Sequence, residues 1–290
     1  MKKLVPRSQD DAGHLDEMSQ NDLLSSYPLL ALQLNAMKAR YDEYVMGRGD
    51  PWTVPAPIQL PPALVEALKS HYTSPPKCLE FLGTLRTAGS PDVCAMCGSL
   101  KAGTLDHVFP KDIYPEFAIF APNLVPACDC NSKRGTRYRG QANGERTLHP
   151  YFDDILERRL VYVQFSGTLK SPLAAIQAIG QDLSPEQLLA LHFHIESILK
   201  RSSLITWASE KWATFYREPE ALLLDLPDGP VVIEDVRHSL ERRLRGADRE
   251  HRTPNNWYSM VFYGVLHSEG AVAYVRDRVD ATRAGDHELI

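Results

Sequence analysis

The spacing of apolar residues predicts helices in the N-terminal part of the chain. Over residues 30–45 the apolar side chains recur at intervals of three and four, which places them along one stripe of a helix. This helix is expected to begin near Ser26 and to end at Gly47, a residue type common at helix C-termini. The proline-rich residues 50–62 predict an extended connector, and residues 1 to about 20 are expected to be disordered or loosely attached. Two further short helices are expected over residues 63–72 and 77–88.

After residue 150 the pattern predicts one strand and then a series of helices. Residues 160–165 alternate in a way that is typical of a strand. Ser184 precedes Pro185 and Gln187, which predicts an N-cap with a capping box and a helical stretch that runs to about Arg217. Further helices are expected over residues 233–252, 257–266 and 270–279. The predicted fold class is therefore α+β and mainly α-helical.

Four of the five cysteines form two short pairs. Cys94-x-x-Cys97 has the spacing of half a zinc site, and Cys128-x-Cys130 can supply the other half. Thiolates suit a closed structural Zn²⁺ site because four sulfurs fill the tetrahedron and leave no position for water. For four clustered cysteines in a chain without a secretion signal, a metal site in a reducing cytoplasm is favoured over disulfides. The fifth cysteine, Cys78, is interpreted as a small buried hydrophobe.

Polar residues lie between and just after the cysteine pairs. Asp106 and His107 sit within a short apolar run, which predicts a strand whose two adjacent polar side chains point to opposite faces. Asn131 directly follows Cys130 and is expected on the first turn of a helix. A zinc site that ties the cysteine pairs together would bring these three polar residues close to one another.

These residues resemble the motif of the HNH nucleases, which have a ββα-metal fold. The family pattern is an acidic residue and a histidine on the first strand, an asparagine between the strands, and an asparagine or histidine on the helix. The residues at these positions are Asp106, His107, Asn123 and Asn131. The resemblance implies that His107 is the general base and that Asn123 holds its loop. It also implies that Asp106 and Asn131 bind a catalytic Mg²⁺ or Mn²⁺. Ala127 stands where zinc-bearing relatives usually have the first cysteine of the second pair.

The net charge of −5 excludes a surface that is basic throughout, so contact with nucleic acid must use a local patch. The stretch after Asn131 supplies one, and its cations are expected to hold phosphates without reading bases. They are Lys133, Arg134, Arg137 and Arg139. A second run of arginines, from Arg237 to Arg252, is interrupted by acidic residues and is interpreted as a solvated helix face.

The 290 residues, of which 24% are charged and 43% hydrophobic, predict an ordinary globular protein. Three regions are expected: an N-terminal helical scaffold over residues 1–90, a zinc-bearing HNH module over 91–150, and a mostly helical region over 151–290. No window is apolar enough for a membrane span, and the N-terminus lacks the apolar segment of a secretion signal. A cytoplasmic location is therefore expected.

The expected function is metal-dependent hydrolysis of DNA phosphodiester bonds. The alternative is a catalytically inactive zinc-stabilised module that binds nucleic acid or protein. The layout also resembles the HNH nuclease subunits of bacterial anti-phage systems such as Septu, which implies an ATPase or another defence-system subunit as partner. A stand-alone restriction-type or homing-type endonuclease is the other setting. His149 is interpreted as a loop histidine, with contact to phosphate or metal as the alternative. His192 and His194 are interpreted as core or surface residues rather than a chelating pair.

Overall fold

The computed structural model describes residues 1–6, 9–87 and 92–286. Helices dominate its regular structure and the strands form two separate antiparallel pairs, which confirms the α+β, mainly helical class. The helices are α1 (Asp11–Gln20), α2 (Leu29–Met46), α3 (Pro62–Thr73), α4 (Phe81–Arg86), α5 (Cys130–Arg134), α6 (Pro185–Ser197), α7 (Leu204–Arg217), α8 (Ile233–His251), α9 (Trp257–His267) and α10 (Ala271–Arg283). The strands are β1 (Thr104–His107), β2 (Leu124–Ala127), β3 (Val161–Ser166) and β4 (Leu173–Ala178).

The first strand pair and the short helix α5 follow one another in the order β–β–α. In the β1–β2 ladder, Asp106 lies opposite Val125 and His107 lies opposite Leu124. Only two residues separate the end of β2 from the start of α5, so the helix begins beside the strand pair. The chain therefore brings the polar residues of β1 next to the first turn of α5.

A long loop joins β1 to β2, and aromatic packing against α2 fixes it. The ring of Tyr44 on α2 lies 4.8 Å from that of Phe117 and 5.0 Å from that of Phe109, both edge-on. The ring of Tyr41 stacks on Phe120 at 4.0 Å. Buried aromatic pairs of this kind stabilise by roughly 0.5–1.5 kcal/mol beyond the area that they bury. The N-terminal helices therefore shape the loop that follows the candidate histidine.

The expectation of a disordered N-terminus was wrong, because residues 11–20 form α1. Asp10 caps this helix by accepting a hydrogen bond from the Gly13 amide at 2.9 Å. Leu15 and Met18 are fully buried in the core, and α1 packs against α2. A helix of ten residues is marginal by itself, so tertiary packing stabilises it and no repeated apolar stripe predicts it.

The long helix predicted to run from Ser184 to Arg217 starts as expected but is two helices. The capping box is confirmed, with Ser184 and Gln187 exchanging hydrogen bonds at 3.0 and 3.2 Å. Between α6 and α7 the hydroxyl of Ser202 accepts from the Leu204 amide at 3.3 Å. Serine hydroxyls compete with the helical ladder in this way, which accounts for the break. The strand β4 was not predicted, since its alanines weaken the alternation.

The remaining predicted helices are present. Each lies inside an observed helix or extends one residue beyond it: 63–72 agrees with α3, 233–252 with α8, 257–266 with α9 and 270–279 with α10. The helix predicted over 77–88 is a short turn (Lys77–Leu79) followed by α4, and its last residue lies outside the described ranges. Among the described helices, none combines the length and the apolar character that crossing a membrane requires.

The C-terminal helices pack directly on the second strand pair. A Cβ atom added to Gly264 on α9 would collide with the carbonyl oxygen of Val163 on β3, so only glycine permits this close approach. One cluster of buried apolar residues, from Met1 to Val279, includes members from all three regions expected from the sequence. The N-terminal helices, the cysteine region and the C-terminal helices thus share a core. The boundaries between the three expected regions, at residues 90 and 150, stay a prediction.

Candidate functional site

The four cysteines of the two pairs meet in a buried cluster. All four are unpaired, and their sulfur atoms lie within 4.8 Å of one another. Cys94 Sγ is 3.6 Å from Cys130 Sγ, and Cys97 Sγ is 3.5 Å from Cys128 Sγ. A tetrahedral zinc site with Zn–S bonds of about 2.3 Å has sulfurs about 3.8 Å apart. The cluster can therefore hold a metal ion, and its sulfur ligands and spacing suit zinc.

The Cys-x-Cys spacing of the second pair is compatible with this geometry. Asp129 adopts helical backbone angles, φ −66° and ψ −4°, which turn the chain between Cys128 and Cys130. Backbone amides also face the sulfurs: the Cys128 amide donates to Cys94 Sγ and the Cys130 amide to Cys128 Sγ, both at 3.3 Å. Such donors stabilise thiolate charge. Ala127, by contrast, lies on β2 opposite Thr104.

The C-terminal region holds the first cysteine pair in place. Trp257 donates its indole N–H to the Cys97 carbonyl at 2.9 Å. His194 donates from Nε2 to the Met96 carbonyl at 2.8 Å and accepts from the Leu148 amide at Nδ1, at 3.0 Å. Burial lowers the pKa of His194 to about 4, so the ring is neutral near pH 7. His194 therefore joins three segments of the chain, and neither ring nitrogen is left for a metal.

Asp106 is buried on β1 with one of its two carboxylate oxygens unpartnered. Its Oδ1 lies 2.6 Å from the guanidinium of Arg134, and its Oδ2 has no hydrogen-bond partner among the described residues. Burial raises the pKa of the Asp106 carboxyl, and Arg134 acts in the opposite direction. An unpartnered buried carboxylate oxygen is costly unless a cation or a donor binds it. Oδ2 is thus a ready ligand atom.

Arg134 does not lie on the surface where a phosphate-binding cation was expected. Only 2% of the residue is exposed, and its guanidinium donates to the carbonyls of His107 at 2.7 Å and Arg137 at 2.9 Å, besides pairing with Asp106. A buried guanidinium needs such partners because desolvation of its charge is expensive. Arg134 thus joins α5 to β1 and balances the Asp106 charge.

His107 is buried with a defined tautomer. Its Nε2 lies 2.9 Å from the Ala118 carbonyl, and because a carbonyl only accepts, Nε2 carries the proton. Nδ1 therefore holds a lone pair, and no hydrogen bond within the described residues occupies it. Burial lowers the pKa of His107 to about 3, which keeps the imidazole neutral near pH 7. The Tyr72 ring packs against it with centroids 4.3 Å apart.

Asn123 is fully buried and holds the loop that follows His107. Its side-chain oxygen accepts from the Phe109 amide at 2.7 Å, and its side-chain nitrogen donates to the carbonyls of Phe109 and Phe117 at 3.0 and 3.1 Å. Its backbone carbonyl accepts from the Val108 amide at 3.0 Å. Each of these hydrogen bonds contributes roughly 1 kcal/mol net to folding stability, and loss of any one would leave a buried polar group without a partner. The asparagine thus closes the loop at both ends.

A chain of neutral hydrogen bonds supports Asn123 from behind. The Tyr151 amide donates to His149 Nδ1 at 3.2 Å, so Nε2 carries the proton and donates to the Tyr44 hydroxyl at 3.0 Å. Tyr44 in turn donates to Asn123 Oδ1 at 3.0 Å. Burial lowers the pKa of His149 to about 3. His149 is therefore a buried structural residue whose ring nitrogens both have partners, rather than a loop histidine that reaches phosphate or metal.

Asn131 lies at the first turn of α5 with its amide oriented by β1. Nδ2 lies 3.2 Å from Thr104 Oγ1 and 3.3 Å from the Leu105 carbonyl, which identifies it as the donor end. The described residues leave Oδ1 without a hydrogen bond. Asn131 therefore presents an oxygen beside the strand that carries Asp106 and His107.

Asp106, His107 and Asn131 line one open cleft of about 320 Å³. Tyr72 and Lys111, which the sequence interpretation missed, line it too. Lys111 Nζ lies 4.5 Å from the centre of the Tyr72 ring, and burial lowers the pKa of this lysine. The described residues place no carboxylate within 4 Å of Lys111, since the neighbouring Asp112 pairs with Lys69 at 2.8 Å. In the sequence, the only feature that pointed to Lys111 was its position four residues after His107.

The other expected phosphate-binding cations are exposed. Lys133 pairs with Asp129 at 3.0 Å, one turn earlier on the chain. Arg137 donates to the Arg134 carbonyl at 3.0 Å, and Arg139 donates to the Pro51 carbonyl at 3.0 Å and lies over the Trp52 ring. The described residues give neither arginine a carboxylate partner. These two cations thus remain available on the surface.

Comparison with known proteins yields one partial similarity. No family model matches the chain, and no solved structure matches it. The chain is 38% identical over 84 residues to the protein named ea31 of Escherichia phage lambda. The match covers 27% of this chain and 28% of that protein, so the two are similar over less than a third of their lengths. The match therefore leaves the family open.

Proposed function

We propose that this protein is a metal-dependent endonuclease of the HNH type that hydrolyses DNA phosphodiester bonds. One observation carries the proposal: Asp106, His107 and Asn131 line a single cleft with Lys111, a cation to which the described part of the chain gives no carboxylate partner. General base, metal-ligand oxygens and a phosphate-binding cation are the groups that this hydrolysis needs. The resemblance of the motif to that of the HNH nucleases supports the same roles for Asp106, His107 and Asn131.

We infer that the cleft holds a hard divalent cation. The available donors support this, since within the described residues neither Asp106 Oδ2, a buried carboxylate oxygen, nor Asn131 Oδ1, an amide oxygen, has a hydrogen-bond partner. Mg²⁺ and Mn²⁺ prefer oxygen ligands of this kind. When bound, such a cation stabilises the negative charge that develops on the phosphate. It is distinct from the ion for which the four sulfurs are suited.

We infer that His107 accepts a proton from an attacking water. The Nε2–H bond to the Ala118 carbonyl holds the ring and leaves the Nδ1 lone pair as the basic site. The same carbonyl stabilises the imidazolium that forms when Nδ1 takes the proton. Asn123 fixes the backbone between His107 and Ala118 through Phe109 and Phe117, so the base keeps its position.

Lys111 is placed to hold the substrate phosphate. Its ammonium lies over Tyr72 at the edge of the cleft and has no carboxylate partner among the described residues. A phosphate oxygen would supply the hydrogen bonds that this half-buried cation lacks. Arg134 also lines the cleft, but it is buried and its guanidinium pairs with Asp106.

The direct test is nicking of supercoiled plasmid by the purified protein. We expect conversion to open circles with Mg²⁺ or Mn²⁺ and none when the divalent salt is omitted. Omission is preferable to a chelator, which would also remove an ion held by the sulfurs. Binding of DNA without nicking in either salt would reject the enzyme and favour the alternative, a zinc-stabilised binding module.

The exposed arginines after α5 are expected to bind phosphate irrespective of sequence. Replacing Arg137 and Arg139 together by Ala should weaken the binding of unrelated duplexes about equally. It should also make the slope of log affinity against log salt shallower by roughly 1.8, since each contact contributes about 0.9. Fluorescence anisotropy over a range of salt concentrations measures this.

The matched control replaces Arg237 and Arg245 by Ala. Arg245 is exposed and Arg237 is half-exposed, and each pairs with a carboxylate of α8, so the charge change is the same. An unchanged salt slope in the Arg137/Arg139 variant would make the patch a solvated face. The arginines of α8 would then be the better candidates for phosphate contact.

The setting that we propose is bacterial anti-phage defence or restriction in the cytoplasm. It rests on the resemblance of the motif and layout described above, which implies an ATPase or another defence-system subunit as partner. Co-purification with the products of neighbouring genes tests this part of the proposal.

A further inference from the structure

A second cavity, of about 560 Å³, lies between α8 and α9 and is separate from the cleft. Its lining includes the aromatic residues Tyr258 and Phe262 of α9, Arg243 of α8, and Leu100, which follows the first cysteine pair. Tyr258 and Phe262 stack with ring centres 5.8 Å apart. The volume lies within the range of cavities that hold a ligand of nucleotide size. We call this space the α8–α9 cavity.

Arg243 has no carboxylate partner in the described structure. Its guanidinium lies 5.5 Å from the centre of the Phe262 ring, and its Nε is buried without a hydrogen bond. Arg242 next to it pairs with Asp225 at 2.9 Å, and Arg245 pairs with Glu241 at 3.6 Å. The arginine run of α8 was interpreted as a solvated face, and this interpretation fits Arg245 but not Arg243. A cation held against an aromatic floor with an unmet donor is suited to an anionic, planar ligand.

Shared and neighbouring residues link the candidate cleft to this cavity. Lys133 follows Ser132, which lines the cleft, and its Nζ lies 3.3 Å from the hydroxyl of Ser203. Ser203 borders a hollow of about 300 Å³ that we call the linking hollow. Leu100 lines both this hollow and the α8–α9 cavity. Lys133, Ser203 and Leu100 thus lie between the cleft and the cavity.

Aromatic rings and amines lie close together at the linking hollow and beside it. Trp207 lines the linking hollow and meets Tyr258 edge-on with ring centres 5.0 Å apart. Lys211 Nζ lies over both rings, 5.3 Å from Trp207 and 5.9 Å from Tyr258. Lys101 is an exposed cation on the wall of the same hollow. Stacking faces interleaved with cations are the features that bind single-stranded nucleic acid without reading its sequence.

We propose that a single strand of nucleic acid runs from the cleft across Lys133 and Trp207 into the α8–α9 cavity. There one base stacks on Tyr258 and Arg243 binds a phosphate. That the strand enters the cleft rests on the proposed nuclease function. Binding of the strand to the α8–α9 cavity does not require cleavage. A duplex does not satisfy it, because a paired and stacked base cannot present its face to the Tyr258 ring. The strand that flanks the cleaved bond is therefore the expected occupant.

The test measures the binding of labelled oligothymidylate by anisotropy, without divalent salt and in the His107→Ala background, so that cleavage plays no part. Tyr258→Ala should weaken binding roughly five- to hundredfold, the range given by loss of one stacked base, and Arg243→Ala should weaken it through loss of one phosphate contact. Arg243→Ala should also make the salt slope shallower by about 0.7. Tyr258→Phe retains the stacking face and should bind like the parent protein.

Arg245→Ala is the matched control, since it removes the same charge from the same helix outside the cavity. Equal binding by the Arg243→Ala and Arg245→Ala proteins would overturn the proposal. So would thymidine 5′-monophosphate that competes as strongly as the oligonucleotide, because the cavity would then be a site for free nucleotides. Loss of binding in the Tyr258→Phe protein as well would also count against stacking.

The two proposals fail separately. Wild-type nicking together with normal strand binding by the Arg243→Ala and Tyr258→Ala proteins rejects the strand path and retains the nuclease. Absence of nicking with weakened strand binding in both variants rejects the nuclease and retains a strand-binding surface.

Discussion

Replacing His107 by Ala is expected to lower the rate of plasmid nicking by roughly 10²–10⁴-fold, which is the usual contribution of general base catalysis. The ring is neutral, its Nε2–H is committed to the Ala118 carbonyl, and Nδ1 is the lone pair left to take a proton. DNA binding and metal content should persist, because His107 is neither a sulfur ligand nor an exposed cation. Single-turnover nicking at saturating Mg²⁺ measures the loss.

A structural defect can be separated from the loss of a base. His107 is buried, so the alanine variant leaves a cavity, and its thermal midpoint must be compared with that of the parent. Added imidazole should restore part of the nicking rate, an effect that misfolding would not produce. His192→Ala is the matched control, because this histidine is exposed on α6. Unimpaired nicking by a folded His107→Ala protein would remove His107 from the role of base.

The local motif could be predicted from sequence because its chemistry needs fixed residue types at short spacing. Two cysteine pairs predicted a cluster, and the structure brings the four sulfurs within 4.8 Å. The strand of Asp106 and the helix of Asn131 followed from neighbouring residues, and the order of strand, strand and helix followed from the resemblance to the HNH nucleases. In each case a few neighbouring residues determine the outcome. The roles of these residues in catalysis stay predictions.

Contacts between distant segments could not be predicted in this way. Arg134 stands in a run of cations, and only its contact with Asp106, 28 residues earlier, shows that it turns inward. Tyr72 on α3 reaches the cleft by packing on His107. Tyr44 was predicted as one more apolar position of α2, yet its hydroxyl supports Asn123, 79 residues later. Sequence periodicity indicates which face is buried but not which group it meets.

Contacts between distant segments also decide which arginines of the two runs are paired. Both were interpreted from the acidic residues nearby in sequence, yet ion pairs form in space. In the first run, Arg134 finds Asp106 and is removed from the surface. In the second, Arg242 takes Asp225 from another segment and Arg243 is left over the Phe262 ring. Which cations are free to bind phosphate therefore depends on the fold.

The purified protein is expected to contain about one Zn²⁺ per chain, and Cys94→Ser or Cys130→Ser should lose it. In small zinc modules the ion contributes about 10–16 kcal/mol to folding at neutral pH. This cluster lies within a larger core, so we expect a smaller effect, a fall in thermal midpoint of at least about 10 °C for a loss near 4 kcal/mol. Elemental analysis and thermal denaturation measure the two quantities. Cys128→Ser should behave in the same way, since its sulfur lies 3.5 Å from that of Cys97.

Cys78→Ser provides the control, because this half-buried cysteine lies outside the cluster and its loss should leave zinc content unchanged. Retention of zinc in the Cys128→Ser protein alone would mean that another ligand completes the site. From the sequence, His149 was the natural substitute. The structure excludes it, because Tyr44 and the Tyr151 amide occupy its two ring nitrogens. Absence of zinc from the parent, together with a well-folded Cys94→Ser protein, would reject the metal cluster. The four thiols would then be packing residues that hold the start of α5 against the first cysteine pair.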